Sequence, residues 1–385
     1  MGWTSAIQKS KIELMQGHWI GFLDGSTPGH VVVDLDELAD RFIGTALFIP
    51  SDQTLPSTAA FIDTGSKSDQ VSITAPIFVV DERDRSIISP AEYMVNHPDL
   101  VHASDAEIKL SNGADGLLVS YKTTFNSQEI SQAKGLLYGS HCGDKSTYNP
   151  SEHITWEKFK AKVSEFSPEE YVWRGQPEPW ALQTSFHRTG RVNLDRYIKE
   201  DVPRLRSALL PHTTTFLHID SALVTGGLYS LAQHHGFPTP LLDWTYSPYV
   251  AAFFALHSLP KSPDRKDSVA RVFAFHRSAW PQDPNAVTHL ALARPHVTLQ
   301  DLVPLENKRA LPQQALAMVS TVPNIEALIR FQERQNNQTY LTPFDLPWSE
   351  RDVAMRDLRT MGITSATMFP GIDGTCKELR DRYFD

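Results

Sequence analysis

The chain has 385 residues, 41% apolar and 21% charged, with a formal net charge of −9. That length predicts two or three domains, and the acidic balance excludes bulk, sequence-independent binding to nucleic acid. The only cysteines, Cys142 and Cys376, stand far apart with no CxxC pair, which excludes a disulfide framework or a cysteine-based zinc site and predicts a reducing, cytoplasmic setting. No uncharged apolar run reaches the ~18 residues of a membrane span, and Lys9, Lys11 and Glu13 argue against a secretory signal.

Up to about residue 140, short segments rich in β-branched residues alternate with turn clusters. Strands are predicted over 17–22, 30–35, 45–49, 71–74, 106–110 and 116–121, separated by runs such as 24–29 and 111–116 that are rich in Gly, Asn, Asp and Pro. This pattern predicts an antiparallel β sandwich or barrel-like domain over residues 1–145. Residues 138–146 are small and polar and are expected to be a linker.

Beyond the linker the chain becomes mixed. Thr155 is placed to cap a helix whose apolar face is Trp156, Phe159 and Val163, with Pro168 stopping it. A strand over 171–173 leads to Arg174-Gly175. An apolar helix over 222–235 ends at Gly236, with Asp220 or Ser221 as its cap. A strand over 241–244 precedes Ser247-Pro248, an N-cap followed by N1, which opens a helix over 249–257. Another strand covers 269–275, and Thr375 to Glu378 reads as a capping box for the last helix. Arg188, Arg191, Arg196, Lys199, Arg204 and Arg206 read as a solvated helix face.

Four blocks of the second part, 150–385, carry a family resemblance. They are Tyr171-Val172-Trp173-Arg174-Gly175-Gln176; the long run from Leu231 through Gln233, His234, Asp243 and Thr245 to Ala255; Asn307 to Gln314; and Met361 to Gly374. In this order they resemble the FRG family, named for its aromatic-Arg-Gly signature. The third block departs from the usual pattern, with Ala315 where a glycine follows the paired glutamines. More distantly, Trp173-Arg174-Gly175, then Asp243 to Ser247 leading into Ala251 and Phe254-Ala255, is similar to the Arg-Ser-Glu class of ADP-ribosyltransferases.

That second likeness implies NAD as substrate and an α+β chain whose mixed FRG domain carries an ADP-ribosyltransferase-like split sheet. An Arg on a rigid strand offers a planar charged fork to phosphate or ribose oxygens. Gly175 would allow close approach of the ligand, and the Thr245 and Ser247 hydroxyls would hold the Arg or the nicotinamide ribose. The implied catalytic residues are Arg174, Asp243 and Thr245. The implied cofactor-binding residues are Gly175, Gln176, Gln233, His234, Ser247, Gln313 and Gln314, with no metal. The class normally supplies a glutamate two residues after a Gln or Glu, to stabilise a ribosyl oxocarbenium ion. This chain has Gln313-Gln314-Ala315 instead, with Glu306 upstream and Glu326 in an expected helix.

Either Asp243 supplies the carboxylate, or the site binds a nucleotide or partner without this chemistry. The enzymatic reading is ADP-ribosyl transfer to an unnamed macromolecular acceptor, protein or nucleic acid, or NAD hydrolysis. The resemblance associates it with toxin or phage-defence roles, and the N-terminal domain would recognise a target, partner or regulator. Bland alternatives also stand: Arg174 paired with Asp243 in a buried ion pair, and Gln233 and His234 satisfying the turn at 236–240. Adjacent His234 and His235 point about 100° apart on a helix and make a poor chelating pair.

Overall fold

The computed structural model describes residues 15–81, 83–98, 102–213, 221–257 and 268–384. Two compact units emerge: Met1–Ser140 with Gly190–Tyr197 and Ala291–Arg294, and His141–Thr189 with Ile198–Leu290 and Pro295–Asp385. The first unit is therefore not a continuous stretch of chain.

In the first unit the strands are β1 (Gly17–Gly25), β2 (Gly29–Glu37), β3 (Phe42–Pro50), β4 (Thr58–Asp63), β5 (Gln70–Val80), β6 (Ile87–Ile88), β7 (Asp105–Asn112), β8 (Leu117–Phe125) and β9 (Gln128–Gly139), with helix α1 (Pro90–Asn96) after β6. Among the described residues, eight of them run up and down in sequence order and close antiparallel, β4 pairing with β5 and β9 with β1, while β6 hangs on the edge of β5. The sheet is thus a barrel rather than a sandwich. Two of its strands, β4 and β9, were not among the expected ones, and β9 consumes the start of the expected linker.

Alternation in each strand aims one side-chain set inward. Trp19, Leu35, Phe42, Leu110, Leu117 and Leu137 fill one end, each at most 7% exposed. Trp19 also donates its indole N–H to the Met15 carbonyl at 2.8 Å. Two of the six basic residues expected on a solvated face turn onto the barrel. Arg191 and Arg196 approach Asp36, which is 1% exposed and also accepts from the Val192 and Asn193 amides at 2.8 and 3.1 Å.

In the second unit the chain runs α2 (Trp156–Val163), β10 (Tyr171–Gln176), the single turn α3 (Leu194–Arg196) lent to the first unit, α4 (Val202–Leu209), α5 (Ala222–His234), β11 (Leu241–Thr245), α6 (Pro248–His257) and β12 (Val269–His276). It continues with β13 (Val297–Gln300), β14 (Ala315–Ser320), α7 (Ile325–Asn336), β15 (Leu341–Pro347), α8 (Arg351–Thr360), α9 (Ser365–Met368) and α10 (Ile372–Tyr383). The described strands form one antiparallel sheet in the order β13-β14-β11-β10-β12-β15.

Alternate residues feed cores on its two faces. Trp173, Val272 and Ala274 pack with α2, α6 and α8, and Val172, Phe273 and Phe275 pack with α7. Helix α6 is apolar on all sides, as a helix buried against a sheet must be. Strand β12 is pinned to edge strand β15 by Arg271, 2% exposed, whose Nε and Nη2 donate to the two carboxylate oxygens of Asp345 at 2.7 and 2.8 Å.

The expected caps divide. Thr155 accepts from the Lys158 amide at 3.3 Å, and Ser247 accepts from Val250 at 3.3 Å. Ser221 precedes α5 without a side-chain cap bond, and Asp220 lies outside the described residues. The capping box at Thr375 does not form. Helix α10 already begins at Ile372 after Gly371 (φ 131°), and the Thr375 hydroxyl donates back to the Gly371 carbonyl at 3.0 Å. The box that does form is one element earlier, where Thr364 and Thr367 cap α9 reciprocally. The remainder of the expected linker is tied down. The His141 carbonyl accepts from Asn324 at 2.6 Å, and the Ser146 amide donates to the Pro179 carbonyl at 2.9 Å; just beyond it, Thr147 donates its amide and hydroxyl to Glu326 at 2.7 and 2.9 Å.

Candidate functional site

Strands β10 and β11 pair at a single position, Trp173 with Thr245. Beyond it they diverge, although each stays fully paired to its other neighbour. The split leaves the Asp243 carbonyl without a strand partner, and the Arg174 guanidinium fills the gap, Nη1 donating to that oxygen at 2.6 Å. A buried or half-buried carbonyl needs such a donor. The alternative of a buried ion pair between Arg174 and the Asp243 carboxylate gives way to this side chain-to-backbone bond.

A cleft of about 380 Å³ opens over the split, within the size range of small-molecule sites. Arg174, Gly175, Asp243 and Thr245 line it from the strands, Gln233 and His234 from the end of α5, and Gln313 from the loop before β14. Three residues named with them lie elsewhere. Gln176 is 5% exposed, accepting from Arg174 Nε at 3.3 Å and donating to the Trp180 carbonyl at 2.8 Å, so it steers the Arg from behind. Ser247 is the helix cap, and Gln314 is exposed in a left-handed turn (φ 47°), its carbonyl accepting from the Tyr246 amide at 3.1 Å.

Within the cleft the polar groups are linked. Gln233 donates Nε2 to Asp243 Oδ1 at 2.6 Å and accepts from the Thr239 hydroxyl, so it joins the carboxylate to the turn after α5. Thr245 is 5% exposed; its hydroxyl donates to the Gln313 carbonyl at 2.7 Å and accepts from the Ser247 amide at 3.1 Å. That hydroxyl is committed to the turn into α6. Gln313 donates to the Met368 carbonyl at 2.8 Å, closing one wall. Gly175 has a packing reason of its own. A Cβ there would sit 1.7 Å from the Ala251 carbonyl oxygen, so the glycine lets α6 lie directly on β10.

Electrostatically the cleft favours anions. Burial pushes the Arg174 guanidinium down to about 10 against the opposing pull of Asp243, with Arg188 adding to the drop, and it stays charged at neutral pH. Arg309, which the sequence reading passed over, lines the cleft with its guanidinium 5.5 Å from the Phe369 ring centroid. Its signal was present, because it lies inside the Asn307-to-Gln314 block. Phe254 and Phe369 supply apolar wall, and both lie inside the blocks that carry the family resemblance. Burial lowers the His234 pKa despite Asp243, with help from Arg309 and His235, and its Nε2 is buried without a hydrogen-bond partner. Among the described lining residues Asp243 is the one carboxylate. Glu326 is removed from candidacy, being 1% exposed and saturated by Thr147 and by the Leu182 amide at 3.1 Å. Among the described residues no group of three His, Cys, Asp or Glu is arranged to hold a metal ion.

A second polar cluster resembles a hydrolytic triad in composition only. His257 Nε2 lies 2.9 Å from Ser365 Oγ and 3.3 Å from Asp381 Oδ2, and Ser365 donates to that same Asp381 oxygen at 3.1 Å. A relay needs serine and carboxylate on opposite ring nitrogens. Here both meet Nε2, so the cluster staples α6, α9 and α10 together.

Fold and cleft define an α+β protein with a closed antiparallel barrel and a mixed unit whose sheet splits over a cationic, polar cleft. The chain carries an FRG domain: residues 169–264 match the family model of that name, covering β10, α5, β11 and α6 but not Arg309, Gln313 or Phe369. No curated protein and no solved structure matches the chain. Among the described residues no helix is long and apolar enough to cross a membrane.

Proposed function

We propose that the cleft binds NAD and cleaves its nicotinamide–ribose bond, passing ADP-ribose to a macromolecular acceptor or to water. One observation carries the reading: Arg174 and Asp243 line one cleft where β10 and β11 part, so a fork for phosphate and a carboxylate for a developing cation share it. This is also what supports an ADP-ribosyltransferase-like split sheet. Arg174 and Arg309 would neutralise the pyrophosphate, Arg174 bidentately. As the N-glycosidic bond breaks, its electron pair leaves with nicotinamide and positive charge develops at the ribose. The Asp243 carboxylate, oriented by Gln233, stabilises that charge. His234, kept neutral by burial, takes the proton of the attacking hydroxyl or water.

The test is nicotinamide release from NAD by the purified full chain, with Asp243→Asn beside it. Asp243→Asn keeps the size of the side chain and is expected to lower turnover by 10²-fold or more, on the order of one electrostatic contact in a transition state. No release from the wild type at any enzyme concentration sinks the proposal. A second reading has its own support, because Asp243 Oδ1 is already engaged by Gln233 and the Thr245 hydroxyl is spent on the turn. A nucleotide- or partner-binding protein without turnover would show saturable NAD binding and no nicotinamide. A cytoplasmic toxin or phage-defence role belongs to the same proposal, and predicts growth arrest on expression that Arg174→Ala relieves.

A further inference from the structure

The barrel of the first unit is filled at one end only. Registers place small residues side by side in the other half: Val33 opposite Ala46, Ala46 opposite Ala60, and Ala75 opposite Ala106. Inward alternation sends these to the lumen, and their short side chains cannot meet across it. An open cavity of about 170 Å³ results, lined by Val31, Val33, Ala46, Ala60, Ala106 and Val119 among others. It reaches the end where β1 turns into β2, β3 into β4 and β8 into β9.

The chemistry of the lining is uneven. Depth is apolar, whereas Thr27, Thr58, Tyr121, Thr123 and Ser131 stand at the mouth. Tyr121 donates its hydroxyl to the Thr27 carbonyl at 3.2 Å, and its ring packs edge-on to Phe48 at 5.5 Å. With its proton so placed and the Ser131 hydroxyl beside it, the phenol oxygen keeps a lone pair to accept from a ligand hydroxyl. Among the described lining residues there is no Asp, Glu, Lys or Arg, and His102 turns its Nδ1 to the Ala103 carbonyl at 2.9 Å. A carboxylate or ammonium entering here would lose its hydration with no carboxylate, ammonium or guanidinium of the lining to replace it. For comparison, an apolar protein cavity of about 150 Å³ stays dry and takes up benzene.

We infer that the barrel is a binding site for a compact, neutral, mainly hydrocarbon molecule of about benzyl-alcohol size, its ring or short chain in the alanine-lined hollow and one hydroxyl at Tyr121. The inference stands independently of the NAD reading, which concerns other residues.

Titration of the full-length chain with toluene, benzyl alcohol and benzoate, read by calorimetry and ligand-observed NMR, tests it. Toluene and benzyl alcohol are expected to saturate below about 1 mM, and benzoate to bind at least tenfold more weakly. Ala106→Leu fills the hollow and should weaken toluene at least tenfold with an unchanged or raised melting temperature. If that variant fails to fold, Ala46→Val makes the same test with one smaller step and at least a threefold loss. Tyr121→Phe should weaken benzyl alcohol at least threefold and leave toluene unaltered. Absence of saturable toluene binding up to 10 mM, or unchanged toluene affinity in a folded cavity-filled variant, overturns the site. Benzoate bound as tightly as benzyl alcohol overturns the neutral class, and an indifferent Tyr121→Phe overturns the polar anchor.

Discussion

Gly175 and Arg174 are neighbours with opposite kinds of constraint. The glycine was expected to make room for a ligand, and it makes room for a helix instead, with the Ala251 carbonyl in the place of its missing Cβ. Gly175→Ala must therefore push α6 off β10, an overpacking that costs about 3 kcal/mol; a fall in melting temperature, with or without ligand, is the expected result. Arg174 holds one backbone oxygen beside a water-accessible cleft, so Arg174→Ala should cost only about 1–2 kcal/mol while abolishing NAD binding. Arg174→Lys keeps the charge but not the fork, and is expected to melt near the wild type yet bind at least tenfold more weakly in calorimetry. Equal NAD binding by Arg174→Lys would mean that the Arg serves the Asp243 carbonyl alone. The importance of both residues was legible in the Trp173-Arg174-Gly175 signature. Their partners were not, because a carbonyl and a helix backbone leave no mark in a side-chain pattern.

Helix α6 shows what a local signal can and cannot specify. Ser247-Pro248 marked its start, and the start is where it was expected. Ser247→Ala should lower stability by about 1 kcal/mol and change NAD affinity less than threefold, measured by melting and calorimetry, because the serine is a cap and not part of the cleft wall. The last helix teaches the converse. Thr375 and Glu378 have capping-box spacing, but Gly371 admits the φ of 131° that starts α10 earlier, and Glu378 turns to the Ser365 amide at 3.1 Å. Strand β9 was lost for a related reason. Its inward positions Ser131, Ala133 and Gly135 are small or polar, Ser131 at the mouth of the hollow and Gly135 where a Cβ would sit 2.2 Å from the Phe22 carbonyl oxygen, so the apolar alternation that reveals a strand is faint there. Closure of the barrel by β4 on β5 has no local signature at all.

At the scale of the molecule, two histidines couple folding to acidity. Burial lowers the pKa of His234 and of His257, the latter with Lys377 adding and Asp381 opposing. The unfolded chain therefore takes up protons first as pH falls through the ordinary histidine value of 6.5. Stability is full above that value and declines below it. Melting temperature should be flat from pH 8 to 7 and fall from pH 6.5 downward, and a double His234→Gln, His257→Gln variant should lose much of that slope between pH 6.5 and 5.5. An unaltered slope would assign the acid sensitivity to carboxylates instead.

The barrel's debt to later sequence sets an order of events during synthesis. Asp36 is sealed in the first unit by partners 155 to 160 residues further along the chain. At about 5–20 residues per second, the ribosome delivers them roughly 8–30 s after Asp36 itself. Until then a carboxylate destined for burial has only water, and the nascent barrel must stay loose enough at that edge to keep it wet. The N-terminal unit is thus made first but finished late, and a pause in translation before Gly190 would prolong the interval in which its apolar strands lie open to other chains.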